Sequence, residues 1–304
     1  GKSTLGRLIL NLIPCDAGEV RFDGARIDTL PRTKMRPYRR DMQVVFQDPL
    51  HALNPRRTVA ENISLPLVNF GEPRKAITSR IAELLDMVGL NPEHANRYPH
   101  EFSGGQCQRI GIARALSLNP RFVFLDEPVS ALDVSIQAQI LNLLMELRQR
   151  LNLTYLFVTH DLKIVRQLAD RIIVLYRGHI VESSATSELY DNPLHPYSRA
   201  LLDSILRVET DDRWRRLAAR TEDDEPDEPS DSSVAGCIYA ATCPERFSPC
   251  RTVAPRLSAA GGSREVSCHL HHRPPADSDT ASIQAGLLAV GSAKRNQPQG
   301  GVRT

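Results

Sequence analysis

Two adjacent carboxylates follow a short apolar run in the middle of the chain. Residues 122–125 are continuously apolar, and Asp126 and Glu127 come directly after them. Such a run is typical of a buried parallel strand, which places both carboxylates at the carboxyl end of that strand. There Asp126 can hold Mg²⁺ through its water shell, and Glu127 can orient and deprotonate an attacking water molecule. Transfer of a phosphoryl group to water requires this division of roles.

The first four residues of the sequence can bind the phosphates that such a reaction needs. Gly1, Lys2, Ser3 and Thr4 match the end of the phosphate-binding pattern G-x-x-x-x-G-K-[ST], and an apolar helical repeat follows them. In this pattern the lysine reaches the β and γ phosphates, and the serine hydroxyl ligates Mg²⁺. The sequence begins inside the pattern, so we expect an N-terminally truncated phosphate loop.

A third motif combines two glycines with a helix start. Ser103, Gly104, Gly105 and Gln106 precede a helical stretch that runs to about Ser117. The glycines permit close approach of another backbone, and Ser103 is a preferred N-cap residue. The exposed N–H groups of a helix N-terminus attract anions. The motif therefore predicts either a phosphate contact or a plain capped helix start.

Alternating strands and helices must position these three motifs. The apolar patterns predict strands at residues 42–46, 122–125, 154–159 and 171–175, and helices at 135–151 and 162–169. A mostly helical stretch lies at about 58–118. This alternation is typical of an α/β fold with a parallel sheet and helices on both faces.

Length and composition narrow the classes of function. A chain of 304 residues predicts about two domains. The net charge is only +2 and aromatic residues make up 5%, which argues against nucleic acid as a partner. One basic run, at residues 32–40, predicts a solvated loop, with contact to anionic lipid headgroups as the alternative.

The order and spacing of the motifs resemble those of ATP-binding-cassette (ABC) ATPases. The resemblance implies a P-loop NTPase fold, with a parallel-sheet core and a helical signature subdomain at about 58–118, and it implies ATP and Mg²⁺ as ligands. The matching positions are Gly1-Lys2-Ser3, Gln47, Ser103-Gly104-Gly105-Gln106, Asp126-Glu127, Asp133 and His160.

The resemblance also implies a role for each matching residue. Glu127, His160 and Gln47 are implied to be catalytic, and Ser3, Gln47 and Asp126 to hold Mg²⁺. Nucleotide contacts within the subunit are implied for Gly1, Lys2, Ser3, Thr4, Gln47, Asp126 and His160. The turn from Ser103 to Gln106 is implied to complete the ATP site of a second subunit, and Asp133 to link the two sites.

Longer matches narrow the resemblance to one branch. Residues 41–49, 53–56, 96–109, 126–139 and 195–202 resemble the F-type ATP-binding subunit of oligopeptide and dipeptide importers. This resemblance implies ATP hydrolysis that energises peptide import, at the cytoplasmic face of the bacterial inner membrane. The implied partners are a second ABC ATPase subunit, identical or not, two transmembrane permease subunits and an extracytoplasmic substrate-binding protein.

Three alternatives remain open at this stage. Related importers carry nickel, glutathione or opines with similar ATPases. A cassette ATPase without a transporter would lack the segments at residues 53–56 and 195–202. The truncated phosphate loop also allows a degenerate partner that does not hydrolyse ATP.

Composition divides the chain into four predicted parts. An ABC nucleotide-binding domain at 1–209 precedes an acidic linker at 210–235, a cysteine-rich segment at 236–272 and a disordered tail at 273–304. The cysteine-rich segment holds Cys237, Cys243, Cys250 and Cys268 and resembles the C-terminal segment of the importers. Four cysteines can ligate a [4Fe–4S] cluster or zinc, or they can bind no metal.

Overall fold

The computed structural model describes residues 1–208 and 235–272. Residue 209, nearly all of the predicted acidic linker and the predicted tail at 273–304 lie outside the described residues. The chain divides into two compact units: one is Ser3–Thr159, and the other joins Gly1–Lys2 to the described residues from His160 onward. No helix in the described ranges has both the length and the apolar character needed to cross a bilayer.

Five strands belong to the first unit. A hairpin of β1 (Arg21–Phe22) and β2 (Ala25–Arg26) precedes a parallel sheet of β3 (Met42–Val45), β4 (Phe122–Asp126) and β5 (Thr154–Val158). The sheet order is β3-β4-β5, and both pairs are parallel. Every residue of the central strand β4 is buried. The predicted parallel sheet is therefore confirmed for these three strands.

Helices fill the sequence between the strands of this unit. Two short 3-10 helices, Pro92–Asn96 and Pro99–Glu101, precede the helix that follows Ser103. The α-helices are α1 (Lys2–Ile9), α2 (Arg32–Asp41), α3 (Pro49–Ala52), α4 (Val59–Phe70), α5 (Arg74–Met87), α6 (Gly104–Leu116) and α7 (Val134–Leu151).

The basic run at residues 32–40 is helical, so the prediction of a solvated loop was wrong. It forms most of α2, and the reason is Met35, which is buried in one core cluster with Phe22 and Ile27. Tyr38, one turn further along, packs edge-on against the ring of Phe22. One apolar stripe thus holds the helix to the unit, while most of its basic side chains face solvent.

Close packing of α1 against the parallel sheet fixes the position of the N-terminus of that helix. Ile9 and Leu10 share a buried cluster with Phe122 and Phe124 of β4. Gly6 faces the ring of Phe124, and a methyl group at Gly6 would overlap that ring. The absence of a side chain at Gly6 therefore brings the helix near enough for its first turn to meet the end of β4.

A second, antiparallel sheet organises the other unit. It contains β6 (Arg171–Tyr176), β7 (His179–Ala185), β8 (Ser258–Ala259) and β9 (Glu265–Val266), in the order β6-β7-β9-β8. The predicted strand at 171–175 is present, but it pairs antiparallel with β7 and has no place in the parallel sheet. The helices of this unit are α8 (Leu162–Leu168), α9 (Thr186–Asp191), α10 (Pro196–Val208) and α11 (Ser248–Thr252).

The cysteine-rich segment docks onto this second unit by strand addition. Strand β9 pairs with β7, and Arg171 donates a hydrogen bond of 2.7 Å to the carbonyl oxygen of Ser263. Tyr239 of the segment packs on Tyr176 and Tyr197, with ring centroids 5.2 and 5.5 Å apart. The segment is thus part of the unit's core.

Candidate functional site

The first turn of α1 meets the carboxyl end of β4. The hydroxyl of Ser3 donates a hydrogen bond of 2.9 Å to Oδ1 of Asp126, the last residue of that strand. Lys2 and Thr4 lie in the same helical turn, and Gly1 precedes it. A hydroxyl and a carboxylate that converge in this way supply the oxygen ligands that Mg²⁺ prefers, so the residues present fit that ion.

Glu127 adopts a backbone conformation that side chains rarely take. Its φ is +45°, in the left-handed region. Such a conformation costs about 1–3 kcal/mol and persists where the surroundings hold it. Here the backbone N–H of Glu127 donates to the carbonyl oxygen of Val158 at 3.0 Å. The turn directs the chain away from the strand directly after Asp126, and no feature of the sequence signals it.

Gln47 reaches the carboxylate of Glu127. It follows β3, the neighbour of β4, and its Nε2 donates to Oε2 of Glu127 at 3.3 Å. An amide that donates to this carboxylate restricts where its oxygens lie. The structure therefore brings two pairs of predicted residues together, Ser3 with Asp126 and Gln47 with Glu127.

The residues after Gln47 form a capped helical turn. Asp48 is the N-cap of α3 and accepts hydrogen bonds from the backbone N–H groups of Leu50 and His51. His51 Nδ1 lies 2.6 Å from Oδ2 of Asp48. This side-chain hydrogen bond lowers the pKa of Asp48, and it raises the pKa of His51. The two residues therefore favour an ion pair on the surface beside Gln47.

A buried amide holds the loop that follows α3, and the sequence analysis missed it. Asn62 of α4 is 3% exposed. Its Nδ2 donates to the carbonyl oxygens of Asn54, Arg57 and Thr58, and its Oδ1 accepts from the N–H of Asn54 at 2.8 Å. The available signal was an asparagine on the apolar face that Val59, Ile63 and Leu67 define.

An arginine of α6 anchors the same loop from the other side. Arg114 donates a hydrogen bond of 2.5 Å to the carbonyl oxygen of Ala52, the last residue of α3. Burial lowers the pKa of this guanidinium. Helices α4 and α6 thus both hold the segment that begins at Gln47.

The Ser103–Gln106 turn forms the start of α6, and Ser103 caps this helix as predicted. The N–H of Gln106 donates to Oγ of Ser103 at 3.4 Å, and the N–H of Ser103 donates to Oε1 of Gln106 at 3.0 Å. Gly105 packs on α7, where a side chain would overlap Ile136. In the part of the chain that the structure describes, no hydrogen bond joins this turn to Ser3 or Asp126.

Asp133 and His160 lie at exposed positions. Asp133 occupies the N-cap position of α7, but its side chain makes no capping hydrogen bond. Val134, the next residue, is 81% exposed, which is unusual for an apolar side chain of this size. His160 follows β5 and belongs to the second unit.

The four cysteines of the C-terminal segment are free thiols near one another. Cys237, Cys250 and Cys268 are buried, and Cys243 is half-buried. The pKa of Cys268 is raised to about 11, mainly by burial and to a smaller extent by the three neighbouring thiols. Among residues 1–208 and 235–272, no three His, Cys, Asp or Glu side chains are grouped closely enough to hold a metal ion. This arrangement does not fit the predicted [4Fe–4S] cluster.

Comparisons with known proteins agree with the sequence motifs. A family profile described as ABC transporter matches residues 1–130, and a profile described as oligopeptide/dipeptide transporter, C-terminal region, matches residues 181–250. The putative oligopeptide transport ATP-binding protein YkfD of Bacillus subtilis is 45% identical over 275 residues, which cover 89% of this chain and 82% of YkfD. A putative peptide import ATP-binding protein of Brucella ovis is 48% identical over 259 residues, covering 84% of this chain and 80% of that protein.

Solved structures share the fold. The chain is similar to cbiO1 of Clostridium perfringens, part of the ABC transporter complex cbiONQ, with a TM-score of 0.58 and 26% identity over 73% of this chain and 83% of that one. It is also similar to the ATP-binding cassette MJ0796, whose structure is a dimeric post-hydrolysis state bound to ADP and Pi. That match has a TM-score of 0.55 and 34% identity, and it covers 61% of this chain and 81% of the other.

Proposed function

The chain belongs to the ATP-binding proteins of ABC transporters, and from that premise we propose that it hydrolyses ATP to drive import of oligopeptides or dipeptides. Its relatives of 45–48% identity are named as peptide import or oligopeptide transport proteins. The C-terminal profile at residues 181–250 belongs to the same branch. Nickel, glutathione and opines remain the alternative cargoes.

One observation carries the catalytic part of the proposal. At the carboxyl ends of neighbouring parallel strands, Ser3 binds Asp126 and Gln47 binds Glu127. Ser3, Gln47 and Asp126 are the residues that would hold Mg²⁺, which when bound neutralises charge on the β and γ phosphates. Oxygen-donating side chains of this kind suit a hard divalent cation.

Glu127 is the proposed general base. Its carboxylate accepts a proton from the attacking water while Gln47 holds one of its oxygens in place. The left-handed turn sets the direction in which this carboxylate leaves the strand. The resemblance supports phosphate contacts for Lys2 and His160, which belong to the second unit.

A second ABC ATPase subunit is the proposed partner at the ATP site. The exposed Ser103 and the glycines after it would contact the nucleotide of that subunit, and Asp133 would link the two sites. The N-terminus of α6 carries a partial positive charge that suits an anion. Two transmembrane permease subunits and an extracytoplasmic substrate-binding protein complete the proposed importer, with this chain on the cytoplasmic face of the bacterial inner membrane.

Two further proposals concern the domain boundaries and the four cysteines. We propose a nucleotide-binding domain at 1–209, with a helical subdomain at about 58–118, and a cysteine-rich segment at 236–272. The spacing of Cys237, Cys243, Cys250 and Cys268 and the resemblance speak for a [4Fe–4S] cluster, whereas the grouping of side chains in the described residues speaks against it. Zinc and no metal are the alternatives. Anaerobically purified protein should contain iron and sulfide in a ratio near one, lost in Cys243→Ser; protein without either would refute the cluster.

The test of the proposed function compares Glu127→Gln with Glu146→Gln. Both changes remove one carboxylate, but Glu146 lies exposed on α7, away from the parallel strand ends. In the assembled importer, Glu127→Gln should slow ATP hydrolysis by about 10²–10⁴-fold, the usual contribution of a general base. Glu146→Gln should hydrolyse ATP normally.

Two separate assays test the role of Glu127 as general base and the identity of the cargo. Phosphate release measures hydrolysis, and uptake of a labelled dipeptide or oligopeptide into proteoliposomes measures transport. Unchanged hydrolysis in Glu127→Gln would refute the assignment of the base. Normal hydrolysis in the unmodified protein, with uptake of nickel, glutathione or an opine in place of peptides, would refute the proposed cargo.

A further inference from the structure

Helix α2 carries a concentration of basic side chains that the proposed ATP chemistry does not use. Its ten residues contain one acidic residue, Asp41, and five basic ones. Among the residues that the structure describes, only Arg40 has a carboxylate partner, Glu72 at 2.9 Å. Within the described residues, no acidic side chain lies at ion-pair distance from the others. The basic residues of α2 are Arg32, Lys34, Arg36, Arg39 and Arg40.

Three of these arginines line a shallow groove with an aromatic wall. The groove has a volume of about 370 Å³, and Thr33, Asn69 and Phe70 complete its lining. Arg32, Arg36 and Arg39 lie three or four residues apart, so they share one face of the helix. The groove surface is mainly apolar, as expected from arginine stems and the Phe70 ring.

Internal contacts hold this arrangement in place. Arg36 lies over the Phe70 ring, with its Cζ 5.3 Å from the ring centroid, and it donates a hydrogen bond of 2.7 Å to the carbonyl oxygen of Asn69. Buried Met35, on the neighbouring side of the helix, anchors α2 to the core. The Nε of Arg39 is buried and lacks a hydrogen-bond partner among the described residues. The guanidinium of Arg36 is therefore held in a defined orientation at the groove.

We infer that α2 and this groove bind the anionic headgroups of a phospholipid bilayer. A cluster of four to eight basic residues on a helix attracts a negatively charged leaflet, and each basic residue near the surface contributes separately. The apolar surface beside Phe70 suits the glycerol and upper acyl region of a lipid. A free phosphate would leave this apolar surface uncovered. The inference rests on the proposed function only in that an importer subunit works beside a membrane.

The test measures binding of the purified full chain to vesicles. Vesicles of phosphatidylglycerol and phosphatidylcholine should retain the chain in a flotation assay, whereas vesicles of phosphatidylcholine alone should not. Arg32→Gln combined with Arg36→Gln should weaken binding by roughly thirtyfold, which corresponds to about 1 kcal/mol for each basic residue. Higher salt should weaken binding of the unmodified chain, since exposed charges are screened.

Two further variants separate the groove from net charge and from folding. Arg150→Gln combined with Arg256→Gln removes the same charge from exposed positions outside α2 and should leave vesicle binding unchanged. Arg32→Gln combined with Lys34→Gln leaves the contacts of Arg36 intact and should still weaken binding by at least tenfold. If the Arg150/Arg256 double variant lost as much vesicle binding as the α2 double variants, the role of the groove would be overturned.

Other outcomes would also overturn the inference. Equal binding to phosphatidylcholine alone would show an apolar interaction without headgroup recognition. If the α2 variants bound vesicles normally but assembled poorly with the permease subunits, the groove would contact an acidic protein segment instead. ATP hydrolysis, measured in detergent with the same variants, should not change; this readout keeps a failure of the proposed function distinct from a failure of lipid binding.

Discussion

Replacement of Gly6 by alanine tests whether close packing of α1 positions the catalytic residues. A methyl group at Gly6 would overlap the ring of Phe124, which is 2% exposed in the core of β4. Carbon atoms attract best at about 3.5–4.0 Å and repel strongly below that range. The helix must therefore move away from the strand, or the ring must leave its rotamer. Either change disturbs the contact between Ser3, one turn earlier, and Asp126.

The magnitude follows from a comparison with a second glycine. Overpacking of a filled core costs about 1–3 kcal/mol, while Gly→Ala in a helix favours folding by about 1 kcal/mol. Gly111 of α6 is also buried and helical, but a methyl group there would have no atom within 4 Å. The helix propensity gain is common to both sites, so Gly6→Ala should be less stable than Gly111→Ala by about 1–3 kcal/mol.

Urea denaturation followed by circular dichroism measures this difference, through the midpoints of unfolding. The affinity for Mg²⁺-ATP should fall in Gly6→Ala and stay normal in Gly111→Ala. In a Phe124→Leu background, where the ring is absent, Gly6→Ala should destabilise the chain much less. A double-mutant cycle measures this difference. If the two alanine variants unfold at the same urea concentration, the structural reasoning about this contact is wrong.

Two further predictions concern stability. Asn62→Ala leaves the backbone groups around Asn54 without their hydrogen-bond partners. Because each buried unpaired group costs about 1–3 kcal/mol, this variant should be destabilised by about 2–4 kcal/mol in urea denaturation. Asn69→Ala, at an exposed position on the same helix, is the control, and equal midpoints of unfolding for the two variants would contradict the role of Asn62. Burial lowers the pKa of His195 from 6.5 to about 4, so the unfolded chain binds this proton at higher pH than the folded chain does. Stability should be complete above about pH 6.5, fall by up to about 3 kcal/mol as the pH drops toward 4, and level off below that. His195→Gln should flatten this dependence, and an unchanged pH profile in the variant would refute the assignment.

Local patterns in the sequence were sufficient to predict the parallel sheet and its polar ends. Residues 122–125 are apolar throughout because β4 lies at the centre of the sheet and is buried on both faces. The cap at Ser103 follows from a preference that acts over three residues. The meeting of Ser3 with Asp126 joins positions 123 residues apart, yet it follows from the general placement of a helix start at the carboxyl ends of parallel strands.

The features that the sequence did not reveal depend on contacts between distant segments. The basic residues at 32–40 form a helix because Met35 finds a place in the core, and charge alone does not indicate that place. The left-handed turn at Glu127 depends on a hydrogen bond to Val158. Strand β7 buries Glu182, Ser183 and Ser184, so no apolar alternation marks it.

Buried Glu182 of β7 helps to join this strand to the cysteine-rich segment. Its carboxylate accepts hydrogen bonds of 2.9 Å from the N–H groups of Leu194 and His195, and Arg264 lies 3.6 Å from it. A buried carboxylate without a cation nearby carries a high desolvation cost. Arg264 comes from the C-terminal segment, next to β9, which pairs with β7. The strand and the segment therefore stabilise each other, since β7 supplies an edge for pairing and the segment supplies the charge that β7 requires. The sequence around the cysteines shows only Arg264 and gives no sign that Glu182 is its partner, because the two residues are far apart along the chain.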